Sequence, residues 1–117
     1  MRIEVRFNDD VAVMALSGKF LAGGDGPFLR QKVADLLEAG TRKLVIDFSD
    51  VPYIDSTGLG FLAGCRTTTQ LGGAGLVLSA LNQHVRKVLD SVQLSQFFTI
   101  ARDEVAAIAV LGKIAPA

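Results

Sequence analysis

The chain has 117 residues and is 50% hydrophobic, enough to cover both faces of one small sheet and too short for a multi-domain enzyme. Its 12 Lys and Arg balance its 12 Asp and Glu, so no surplus of cations is available to neutralise a run of phosphates, which argues against direct binding of DNA or RNA. A single cysteine, Cys65, rules out an intrachain disulfide and a cysteine-rich metal site.

At the start, Ile3, Val5 and Phe7 alternate with Glu4 and Arg6, and Asn8-Asp9-Asp10 supplies turn residues before the run from Val11 to Leu16. This pattern predicts a β-hairpin and lacks the long apolar core of a signal peptide. A glycine-rich connection from Ala22 to Gly26 leads to Pro27, which suits a first helical turn. Phe28, Leu29, Val33, Leu36 and Leu37 then form one apolar stripe, stopped at Ala39-Gly40. Leu44 to Phe48 shows little alternation, as expected of a strand covered on both faces.

After Val51-Pro52-Tyr53-Ile54 and Asp55-Ser56-Thr57-Gly58-Leu59-Gly60, a helix is predicted from about Thr57 to Leu71. Leu59, Leu62, Ala63 and Leu71 recur at roughly helical spacing, Leu59, Leu62 and Ala63 form the inward stripe, and Gly72-Gly73 is the stop. Leu76 to Leu81 is the next strand. Asn82 caps a helix to Ser91 that turns Val85, Val88 and Leu89 inward and exposes Gln83, Arg86, Lys87 and Asp90. Phe97 to Ala101 reads as the last strand, and Asp103 caps an Ala-rich helix through Leu111. A hairpin followed by alternating helices and strands implies a single α/β domain over residues 1–117. Its mixed sheet of about five strands has a parallel centre and right-handed crossovers, with about four helices. No apolar run approaches the roughly 20 residues needed to cross a bilayer, so the expected location is cytoplasmic, without membrane insertion.

The chemistry concentrates in Asp55-Ser56-Thr57-Gly58, where two hydroxyls stand at the junction of a strand and a helix. A helix start carries unpaired N–H groups and partial positive charge that suit an anion or a phosphorylated hydroxyl. Asp, Ser and Thr are also good N-caps, so simple capping is the competing account. Catalysis lacks its parts. The single histidine, His84, lies in the first turn of a surface helix and reads as solvated, while Ile54-Asp55-Ser56-Thr57-Gly58 lacks the first glycine of a nucleophile elbow. Gly58, Gly60 and Gly64 place the third glycine one position too late for a dinucleotide fingerprint, and Ser17-Gly18-Lys19-Phe20 lacks the hydroxyl that follows a P-loop lysine. No catalytic residue, metal ligand or cofactor is expected.

The three glycines each cost about 1 kcal/mol relative to Ala inside a helix, less near its start. That concession suits close approach of another backbone, either the protein's own or a partner's. Phe61, Gly64, Cys65 and Thr68 fall on a stripe rotated from the core stripe, an outer face fit for docking, where a charge at Phe61 would be buried only in a complex. Cys65 itself is expected to be a small buried or half-buried filler.

The buried strand, Val51-Pro52-Tyr53-Ile54, the DSTGLG segment and a helix ending in Gly72-Gly73 together strongly resemble the STAS domain of bacterial anti-sigma factor antagonists. The likeness extends to Leu16-Ser17-Gly18, Leu76-Val77-Leu78 and Val85-Arg86-Lys87-Val88-Leu89, and so covers nearly the whole chain. It implies a STAS fold and a phosphorylation-gated binding module that is not an enzyme. The unmodified form would bind an anti-sigma factor, itself typically an ATP-dependent serine kinase, and so free a sigma factor for transcription. Phosphorylation of Ser56, the first hydroxyl after the Asp, would break that complex, and a serine phosphatase would reset it.

With the outer stripe, the implied docking set is Asp55, Ser56, Thr57, Gly58, Gly60, Phe61, Gly64 and Thr68. Thr57 is expected to begin the helix with its hydroxyl on a backbone N–H. The alternatives are an accessory STAS subunit of a lipid-transport ABC complex, docking through the same loop without phosphorylation, and a hydrolase using Ser56. One segment departs from the family: its usual Gly-Glu-Leu-Asp turn stands here as Gly18-Lys19-Phe20-Leu21, followed by Ala22-Gly23-Gly24-Asp25, with Asp25 a candidate for the missing carboxylate.

Overall fold

The computed structural model describes residues 1–19 and 25–114. Strands β1 (Arg2–Asn8) and β2 (Val11–Ser17) form the expected hairpin, with Asn8 opposite Val11 and Asp9 in the left-handed region at φ +55. Asp tolerates that conformation because its short polar side chain bonds locally. The chain continues through α1 (Asp25–Glu38), β3 (Lys43–Asp50), α2 (Ser56–Leu71), β4 (Gly75–Ser79), α3 (Gln83–Ser91), β5 (Thr99–Ala101) and α4 (Glu104–Ile114). The sheet order is β1-β2-β3-β4-β5, antiparallel in the first pair and parallel thereafter.

The weak alternation of β3 has the expected cause. Leu44, Ile46 and Phe48 join a core with Leu29 and Val33 of α1, Leu59 and Leu62 of α2, and Val85 and Leu89 of α3. Val45 points the other way and packs with Val13, Val77, Ala107 and Leu111 under α4. α1 ends as its glycine requires: Gly40 takes φ +98, its N–H donates to Leu37 O and that of Thr41 to Leu36 O.

Two expectations are corrected. Phe28 is 46% exposed and does not belong to the core stripe of its helix, and Leu71, which recurs by spacing, is 84% exposed and stands off the inward stripe of α2. At 3.6 residues per turn, Leu71 is rotated about 120° from Leu59, and Phe28 about 140° from Val33. The last two strands are shorter than predicted: Ala80, at φ +59, turns the chain after Ser79, and Phe97 and Phe98 form an edge-to-face pair in a turn before β5. The departure at Lys19-Phe20-Leu21 lies largely outside the described residues, as do Ala22, Gly23 and Gly24.

Candidate functional site

The approach to α2 is fixed from below and from the side. Val51 and Ile54 are buried, the Val51 N–H donates to Phe48 O at 3.0 Å, and Asn82 Nδ2 donates to Val51 O at 3.0 Å. Asn82 uses its other end as well, its Oδ1 accepting from Val85 N at 2.8 Å to cap α3. Tyr53, in the same connection, stacks on His84 with ring centroids 5.2 Å apart. His84 is exposed as expected but is held by this ring rather than merely solvated.

The cap of α2 is Asp55, not Thr57. Asp55 is extended (φ −96, ψ 174), its carboxylate accepts from Gly58 N at 2.7 Å, and its carbonyl accepts from Leu59 N at 3.0 Å. Extended backbone defines the residue just outside a helix, whereas Thr57 already lies in the first turn. Ser56 and Thr57 are both exposed there. The capping account therefore applies to the carboxylate and leaves the two hydroxyls unexplained.

The remaining docking residues fall into two groups. Gly60 is exposed, and a Cβ built on it would meet nothing within 4 Å. Gly58 is buried beneath the cap bond. Further along α2, Phe61, Gly64 and Thr68 are half-buried and turn toward α1. The Phe61 ring covers the bare Cα of Gly26, a Cβ at Gly64 would stand 3.5 Å from Arg30 Nε, and Phe61 and Thr68 share an open groove with Pro27, Arg30, Gln31 and Ala34.

Cys65, placed on the same outer stripe by sequence, is fully buried and belongs to the core. Burial pushes its thiol up to about 12, against a weaker opposing pull from Arg30. Such a thiol is protonated and inert at neutral pH. Among the described residues, no group of three or more His, Cys, Asp and Glu is placed to hold a metal ion, and no helix is long and apolar enough to cross a membrane.

The site is thus an exposed pair of hydroxyls on a carboxylate-capped helix, set beyond the C-terminal end of a central parallel strand. Residues 2–107 match the STAS domain, and the chain belongs to that family. The anti-sigma-B factor antagonist of Bacillus subtilis strain 168 is 29% identical over 101 residues, which span 86% of this chain and 91% of that protein. Solved structures share the fold, two of them as follows. One is a Thermotoga maritima protein described as a candidate anti-sigma factor antagonist, with TM-score 0.85, 22% identity, and 94% of each chain covered. The other is the Bacillus cell fate determinant SpoIIAA in its phosphorylated form, with TM-score 0.69, 19% identity, and 93% of this chain and 99% of that one covered.

Proposed function

We propose that this chain is an anti-sigma factor antagonist: a regulatory binding protein, not an enzyme, that docks an anti-sigma factor through the start of α2 and releases it when Ser56 is phosphorylated. The observation that carries the reading is Ser56 itself, exposed on the first turn of α2 while Asp55 performs the capping. Gly60, one turn on, adds to it. A glycine in a helix has a cost, and here no contact within the described residues explains it, so the open backbone suits close approach from outside. The partners are an anti-sigma factor that is also a serine kinase, and a serine phosphatase, both acting in the cytoplasm.

Electrostatics gives the switch its direction. A phosphate adds about −1.5 to −2 charges at neutral pH. At about 6 Å from the Asp55 carboxylate and an effective dielectric of 20, repulsion is roughly 3 kcal/mol per pair of unit charges, less with full solvent access. Helix N–H groups offset part of this within the domain, which stays folded. A partner packed over Ser56 has no such offset and must also desolvate a dianion.

The test is incubation with the cognate kinase and ATP, read by mass spectrometry and by pull-down. Ser56 is expected to carry the phosphate, Ser56→Ala to stay bound in ATP, and Ser56→Glu to bind poorly. Because Thr57 is also exposed and is not the cap, phosphate on Thr57 alone would move the switch by one residue. Binding indifferent to ATP, with neither hydroxyl modified, would refute gating.

A further inference from the structure

Among the described residues β1 is an edge strand, hydrogen-bonded only to β2, and every residue along it except half-buried Ile3 is exposed. The opposite edge, β5, has only 3 residues, so β1 with 7 is the long free edge of the sheet. Soluble proteins usually blunt such an edge with charged side chains, a proline, a bulge or brevity. β1, Arg-Ile-Glu-Val-Arg-Phe-Asn, has no proline, is not short and pairs with β2 without a register shift, and its three charges alternate in sign, so they complement an antiparallel copy rather than repel it.

A two-residue hairpin turn is closed by a pair that exchanges both backbone hydrogen bonds, and bonding alternates along the strand from there. Counting back from Asn8 opposite Val11, residues 8, 6, 4 and 2 turn their amides to β2. Ile3, Val5 and Phe7 turn theirs outward. These three also share one side-chain face, on which Val5 is 36% and Phe7 58% exposed. Arg2, Glu4 and Arg6 occupy the other face with alternating sign.

We propose that this edge pairs antiparallel with β1 of a second copy of the chain, Val5 opposite Val5, to give a two-fold symmetric dimer with one sheet running through both protomers. Self-pairing about Val5 sets Glu4 opposite Arg6 twice, Ile3 opposite Phe7 twice and Arg2 opposite Asn8 twice. It overlaps the full length of the strand and matches every outward amide with an outward carbonyl. Shifting the axis to Glu4 sets Glu4 against Glu4 and Arg2 against Arg6. Shifting it to Arg6 sets Arg6 against itself, and an axis at Ile3 restores charge pairing only over a short overlap. Complementary charge and apolar pairing thus coincide in a single long register. Arg6 already meets Glu104 of α4 in its own chain, and the five donors of a guanidinium leave room for a second carboxylate.

The test is sedimentation velocity over a concentration series, with circular dichroism to confirm folding. The wild-type chain is expected to move toward twice the monomer mass as concentration rises. Because two-fold symmetry counts every substitution twice, Glu4→Arg is expected to weaken dimerisation by at least about tenfold, and Arg6→Glu likewise. An equimolar mixture of the two variants restores complementary pairing and is expected to recover the dimer.

A register readout independent of those variants is Val5→Cys. It should be linked to its copy by a short thiol crosslinker, whereas Phe7→Cys, opposite Ile3, should not; buried Cys65 does not compete. A chain that stays monomeric throughout overturns the proposal, as does a dimer unchanged by Glu4→Arg or a crosslink at Phe7→Cys in place of Val5→Cys. None of these results bears on Ser56.

Discussion

Gly26→Ala sets α1 directly against α2. The new Cβ would come within 2.2 Å of Phe61 Cδ2 and 2.3 Å of Cγ, well inside the roughly 3.5–4.0 Å at which carbon atoms attract. Cγ lies close to the root of the side chain, so a small rotation of the ring does not clear it. Either Phe61 leaves its rotamer or α1 retreats, and overpacking of this kind costs about 1–3 kcal/mol. Gaining alanine in a helix returns at most about 1 kcal/mol, less in a first turn. A net loss of up to about 3 kcal/mol is therefore expected in urea denaturation, with m unchanged.

Phe61→Ala removes the obstacle, so in that background Gly26→Ala should be neutral or stabilising, with a coupling energy of about 1–3 kcal/mol across the double-mutant cycle. A Gly26→Ala protein more stable than the wild type, or two effects additive to within about 0.5 kcal/mol, would refute the contact. The same geometry revises the docking face. Phe61→Asp, harmless to the fold if the ring lay on an outer surface, is now expected to cost about 1–3 kcal/mol by itself, so Phe61 variants report packing and docking together.

Leu59→Ala, in the core at 2% exposure, should lower stability by about 2–5 kcal/mol, and an unchanged denaturant midpoint would put that face of α2 on the surface. Gly60→Ala should do the opposite, raising stability by up to about 1 kcal/mol while weakening capture of the anti-sigma factor; undiminished capture would mean that no partner backbone comes close. Asn82→Asp keeps the oxygen that caps α3 but turns the Nδ2 donor to Val51 O into an acceptor. It should destabilise by about 1–3 kcal/mol, and a neutral result would show that the tie to Val51 is dispensable.

The Arg6 guanidinium holds the Glu104 carboxyl below its ordinary range, so the folded value is depressed relative to the unfolded one. The stability this contributes is fully present above the unfolded value of about 4.3 and is lost as pH falls through the folded one. Glu104→Gln should flatten the fall of melting temperature below about pH 5, and an identical profile would remove the pair from the acid response.

The architecture was readable because each element carries a local signal: the period-2 hairpin, the doubly covered β3, and Asn82 and Asp103 three residues before the N–H groups they cap. Where the reading slipped, the deciding quantity was angular or non-local. Phe28 and Leu71 match a stripe by spacing but not by rotation. Asp55 and Thr57 are both acceptable caps by residue type, and only the extended backbone at Asp55 selects between them. The motif placed Ser56 correctly at the mouth of α2, yet nothing in a one-dimensional pattern ties Phe61 to Gly26, Tyr53 to His84 or Asn82 to Val51. Each of those pairs is about 30 residues apart and meets only because parallel strands bring successive crossovers side by side.

The clamp on residues 51–55 bears on how an enzyme would recognise Ser56. Many modifying enzymes take a mobile, extended stretch of substrate into a cleft and read a few flanking side chains. Here the hydroxyl belongs to the first turn of a helix, its entry held by a buried valine and isoleucine, an amide tie from a neighbouring helix and a stacked ring pair. A kinase acting on it would have to read the assembled surface, with α2 intact, and a short peptide copied from residues 50–60 would lack the shape being read. Substrate choice would then depend on folding, and an unfolded copy of this chain would escape modification despite carrying every residue of the motif.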